Sequence, residues 1–84
     1  MAERHAIFVS MVVQPVDSGF LASVPGLQGA LGEGDTVEEA VFNCMDVAKM
    51  IVEYRRERGE PLGFNEVPID PTTRMTVSLP LAVG

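Results

Sequence analysis

The sequence predicts an α+β fold with the element order β-β-β-α-β: an antiparallel meander of three strands, a crossover helix and a fourth strand. Three observations carry that reading. Residues 5–14, HAIFVSMVVQ, are rich in β-branched and apolar side chains, as strands are. At Thr36 the apolar period changes from two to 3.6, and Glu39 follows at capping-box spacing. Residues 74–83, RMTVSLPLAV, return to strict alternation.

The first strand, over residues 5–14, places His5, Ile7, Val9, Met11 and Val13 on one face and Ala6, Phe8, Ser10, Val12 and Gln14 on the other. Both faces are largely apolar, so this strand wants cover on two sides. PVDSG, residues 15–19, has turn chemistry at nearly every position and leads into a second strand, FLASV, residues 20–24. Pro25 and Gly26 turn the chain again, into a third strand over LQGALGE, residues 27–33, whose glycines suit a sheet edge.

The helix opens at Thr36 and runs Val37, Ala40, Val41, Cys44, Ala48, Ile51 and Val52 along one stripe. It should end near Arg58, with Gly59 at C′ and Pro61 just beyond. Residues 60–73 then read as a loop, held to the body by Leu62 and Phe64. The last strand alternates Met75, Val77, Leu79, Leu81 and Val83 against polar or small residues, and Pro80 sets it at an edge. With a right-handed crossover these strands take the spatial order 3-2-1-4 within a single domain, residues 1–84.

Composition narrows the function. The chain has 84 residues, is 46% hydrophobic and carries a formal net charge of −6, which suits a folded protein and not a disordered one. Only six residues are Lys or Arg, and four of them (Lys49, Arg55, Arg56, Arg58) fall in the second half of the helix, where cations complement its dipole. Direct nucleic-acid binding is therefore not expected. The lone Cys44 excludes an internal disulfide and a multi-cysteine metal site. The longest near-apolar run, residues 6–13, is about half a membrane span. No signal-peptide pattern is visible, so a cytoplasmic protein away from membranes is expected.

The stretch PGLQGALGEGDTVEEA, residues 25–40, concentrates four glycines and four acids. A phosphate cradle would need Gly-Lys-Ser/Thr after the glycines, and here Asp35, Thr36, Val37 and Glu38 follow. Glu33, Asp35, Glu38 and Glu39 would repel an anion at that helix end, while they complement the dipole themselves. The glycines serve conformation.

The same residues resemble a known signature. Gly19-Phe20-Leu21-Ala22-Ser23-Val24-Pro25, Pro25-Gly26-Leu27-Gln28-Gly29 and Gly34-Asp35-Thr36-Val37-Glu38-Glu39-Ala40 are similar to the HicB-like antitoxin family, over about residues 6–58. The resemblance implies a partial ribonuclease-H-like fold and a small HicA-like toxin partner, built like a double-stranded-RNA-binding domain, that cleaves messenger RNA. Many members add a C-terminal DNA-binding segment; the sequence given stops at Gly84, so the expectation covers toxin binding and not an operator.

No enzyme is expected. Two-metal nucleases need converging carboxylates, and neither residues 5–14 nor 74–83 contain one. His5 has no Cys, Asp or Ser neighbour to make it a catalytic base, Cys44 sits on the apolar stripe, and Met50 and Tyr54 flank it as packing residues. No cofactor or metal ligand set is assigned. Glu33, Asp35, Glu38 and Glu39 are the candidate partner-binding residues for a basic toxin, although capping also accounts for them. One helix covers only one face of strand one, and Ala6, Phe8 and Val12 are assigned to an uncovered face that a homodimer or tetramer would bury. The alternative is an orphan homo-oligomeric sensor or adaptor domain that binds a small ligand.

Overall fold

Asp17 and Ser18 form a two-residue turn between Val16 and Gly19, and that turn starts an antiparallel meander. The computed structural model describes residues 4–84. Its elements are β1 (Arg4–Ile7), β2 (Val12–Val16), β3 (Gly19–Ser23), β4 (Leu31–Gly34), α1 (Val37–Glu57) and β5 (Glu66–Ile69). The fold is α+β, with antiparallel strands and one helix. Hydrogen bonds draw two sheets: β2-β3-β4, and a separate pair β1-β5.

Four expectations are corrected. The expected first strand is two strands, because its ends have different partners: Val12–Val16 pair with β3, while Arg4–Ile7 pair with β5. The expected third strand begins only at Leu31; residues 24–30 are turns closed by Val24 N–H to Ala30 O (3.1 Å), Leu27 N–H to Val24 O (3.1 Å) and Ala30 N–H to Leu27 O (3.1 Å). The strand after the helix lies inside the expected 60–73 loop, at Glu66–Ile69, with Pro68 opposite His5. Residues 74–83, expected as the fourth strand, are in no ladder, so hydrogen bonds do not draw the order 3-2-1-4 as a whole.

The helix begins where the hydroxyl of Thr36, extended at φ −123° and ψ 163°, accepts the Glu39 N–H at 3.1 Å. The capping-box spacing predicts that the Glu39 side chain reaches back as well; the cap bond seen here is made by the Glu39 N–H. At the other end Gly59 takes φ +71°, a left-handed conformation that glycine adopts without Cβ strain. There Glu60 N–H reaches Arg55 O at 2.9 Å and Gly59 N–H reaches Arg56 O at 3.1 Å, the paired bonds of a Schellman stop.

Gly32 and Gly34 explain how α1 sits on the sheet. A Cβ on Gly32 would meet the backbone of Cys44 and would lie 2.7 Å from the Asn43 carbonyl carbon; one on Gly34 would lie 2.6 Å from Ala40 N. The helix backbone rests directly on β4, its most extensive contact, and touches β2 least. The core between them is small-residue: Ala22, Val24, Leu27, Ala30, Ala40, Val41, Cys44 and Ala48 are buried, and Cys44 is the largest fully buried side chain. Val9, Met11 and Val13 pack half-buried on its margin, so the helix covers that face of the former strand one only in part.

Candidate functional site

Alternation along the meander fixes what faces away from the helix. Ala22, Gly32 and Gly34 face α1, so their neighbours Leu21, Ser23, Leu31 and Glu33 face outward. Through the register, Val12 lies opposite Ser23, which lies opposite Leu31; Gln14 lies opposite Leu21, which lies opposite Glu33. Val12 is 48% exposed and Leu31 53%, and Val16 is exposed at the same strand's end. Phe8, in the link between β1 and β2, is 51% exposed. Ala6 differs: it is half-buried within the β1-β5 ladder, opposite Val67.

The four acids divide into two pairs. Glu33 and Asp35 line a shallow hollow with Val16, Ser18, Gly19 and Phe20, at the end of the open face. The Glu33 carbonyl is held by Asn43 Nδ2 at 2.7 Å, which ties β4 to α1. Glu38 and Glu39 lie on the first helical turn, where negative charge complements the dipole. Glu38 is half-buried, and its Oε1 lacks a hydrogen-bond partner among the described residues. Among the described residues no group of three or more His, Cys, Asp or Glu is arranged to hold a metal ion.

At the opposite end of α1 the cations are largely engaged. Arg56 pairs with Glu66 (3.2 Å) and Arg58 with Glu60 (3.0 Å), while the Arg58 guanidinium lies over the Tyr54 ring at 5.4 Å. Cys44 donates to Ala30 O at 3.5 Å, and burial pushes its thiol pKa up, away from the thiolate that nucleophilic attack requires.

A feature that sequence reasoning missed lies along the former strand one. A cleft of about 280 Å³ opens between α1 and β1, lined by Ile7, Val9, Met11, Leu27, Ala48 and Val52, with Lys49, Glu53 and Arg56 on the helix side. Beside it a groove of about 570 Å³ runs between residues 6–13, Val41 and Met45 of α1, and residues 75–80. The signal for it was present in the helix stripe. Ala40, Cys44 and Ala48 let α1 approach β4 closely, and that approach leaves the β1-β2 side short of cover. No helix among the described residues is long and apolar enough to cross a membrane.

A scan against protein-family models and searches of curated proteins and of solved structures find no match to this chain.

Proposed function

We propose that this chain is a non-enzymatic interaction protein of the HicB-like antitoxin type, which binds and silences a small basic toxin that cleaves messenger RNA. The observation that carries the reading is the open sheet face. Exposed Val12, Val16 and Leu31 stand beside Glu33, with Asp35 at the adjoining hollow, on a chain of net charge −6. An apolar patch with an acidic border complements a basic RNA-binding surface: the apolar part supplies affinity and the acids steer the encounter. The motif behind the resemblance also has a physical role. Gly34 admits the helix backbone and Thr36 caps it, so the junction holds Glu33 and Asp35 in place.

In this reading the chain has a partial ribonuclease-H-like fold with strand order 3-2-1-4, residues 74–83 supplying strand four beside residues 6–13. Its working form is a homodimer or tetramer. The test is co-expression with a small basic toxin of the HicA-like type, followed by affinity purification and an RNA-cleavage assay. Complete inhibition at a fixed molar ratio supports the reading. A toxin that keeps its full activity with the chain in excess overturns it.

The cleft beside β1 favours a second reading, the ligand-binding sensor or adaptor. Its volume of about 280 Å³ is near the lower bound for small-molecule sites, and its apolar lining suits the tail of a medium-chain carboxylate, whose head would compete with Glu53 and Glu66 for Lys49 and Arg56. Thermal-shift titration with medium-chain carboxylates separates the two readings: saturable stabilisation favours the sensor, and none favours the antitoxin.

A further inference from the structure

The chain leaves too much of itself in water for a molecule that works alone. Its accessible surface is 6647 Å², whereas a folded monomer of 9.1 kDa exposes about 4,900 Å². Its radius of gyration is 14.3 Å, against about 12 Å for a compact chain of this length. The surplus, about 1,700 Å² per chain, is what each subunit of an obligate dimer gives up at its interface.

The most conspicuous contributor is the segment after the Asp70–Thr73 turn. Met75, Val77, Leu79, Leu81 and Val83 alternate as a half-buried strand would, yet they are 52% to 94% exposed and belong to no ladder. Met75, Val77 and Leu79 line one side of the groove, whose other lining residues include half-buried Val9, Met11 and Val13 and, on the helix, exposed Met45 beside buried Val41. The turn pins the start of this arm. Thr73 N–H bonds Asp70 O (3.0 Å), Asp70 N–H bonds Thr73 Oγ1 (2.9 Å), and Asp70 Oδ1 accepts Thr72 N–H (2.8 Å) and Thr72 Oγ1–H (2.6 Å). Beyond that turn the arm lies along the rim of the groove with its apolar row still exposed, and a second copy offers the same groove to that row.

We infer that two copies exchange their C-terminal arms, residues 74–83 of each lying in the partner's groove along residues 9–13 and α1. The exchange is symmetric: one contact, made twice, fills both grooves and covers both apolar rows. It rests on the reading of residues 74–83 as the fourth strand, and it adds that a second chain supplies that strand. The open meander face, with Val12 and Leu31, stays free for a different partner or for further pairing into a tetramer.

Two single-cysteine chains test this, each in a Cys44→Ala background: one with Met11→Cys in the groove, the other with Leu79→Cys on the arm. They are unfolded together, refolded as a mixture at micromolar concentration and oxidised, and the products are weighed by mass spectrometry. Exchange predicts a mixed covalent dimer at least tenfold more abundant than either homodimer. A chain carrying both substitutions distinguishes the failures. A bridge formed only within that chain, at every concentration, overturns the exchange but leaves the fourth-strand reading intact; no bridge in either sample overturns both. A parallel pair, Val9→Cys with Val77→Cys, is scored in the same way, so a fold defect in one pair does not decide the result.

Discussion

Adding one methyl group at Gly32 should be among the most damaging small changes this chain can take. The new Cβ would meet the Cys44 backbone and come within 2.7 Å of the Asn43 carbonyl carbon. Those are main-chain atoms of a helix interior, so no rotamer change can clear them, and α1 must lift from β4. Overpacking of this kind costs about 1–3 kcal/mol, and this site belongs at the upper end because the obstacle is backbone. Alanine recovers about 0.5–1 kcal/mol through lower unfolded-state entropy and better strand propensity. The net loss for Gly32→Ala is then about 2 kcal/mol, a large part of the roughly 4–13 kcal/mol expected for a domain of this length. In thermal melts the midpoint should fall by about 8–16 °C. Urea denaturation at one fixed protein concentration measures the difference, because association makes apparent stability concentration-dependent. A Gly32→Ala chain as stable as the parent would show that the helix does not rest on β4 backbone to backbone.

The remaining expectations concern the cap, the thiol, the ion pair and the acids. Thr36→Ala should cost about 1 kcal/mol in urea melts by removing the acceptor for Glu39 N–H; an unchanged midpoint would discount the cap. Burial raises the Cys44 thiol pKa in the folded chain, so the unfolded chain loses its proton first. That contribution is intact below the ordinary thiol value of about 8.5 and is lost as pH climbs towards the raised one. Urea midpoints at pH 7 to 10 should therefore fall more steeply for the parent than for Cys44→Ala. Arg56→Ala breaks the exposed pair with Glu66 and should cost less than about 1 kcal/mol; a much larger loss would reveal a structural duty beyond the ion pair. Replacing Glu33, Asp35, Glu38 and Glu39 together by Gln or Asn should slow association with a basic toxin, most strongly at low salt. Equal on-rates by stopped flow at low ionic strength would remove these residues from the encounter surface.

The helix was the most legible element because its signals are local. Thr36, Glu39, the apolar stripe and Gly59 all act within a few residues of their own position. The β2-β3 hairpin was legible for the same reason, through the turn at Asp17-Ser18. The break between β1 and β2 was hidden, since residues 5–14 look uniformly strand-like and the break depends on pairing with Glu66–Ile69, sixty residues away. That partner strand was itself hidden by Pro68, which reads as a breaker yet is tolerated where its missing N–H has no ladder to serve. Residues 74–83 show the converse: alternation reports that a face wants cover, and says nothing about which chain provides it. Of the candidate interface residues, Phe8 and Val12 are exposed, whereas Ala6 is half-buried in the β1-β5 ladder. The groove depends on how closely α1 approaches β4; Ala40, Cys44 and Ala48 in the stripe and Gly32 and Gly34 in β4 signal that approach only when the two are read as partners.

Both the proposed homo-oligomeric working form and the exchanged arms require that this chain complete its surface with a second copy of itself. Sedimentation equilibrium of the purified chain at micromolar concentration tests that requirement most directly. The account predicts a mass of at least twice the 9.1 kDa chain, holding on dilution through the micromolar range. A well-folded species sedimenting at 9.1 kDa throughout would contradict it.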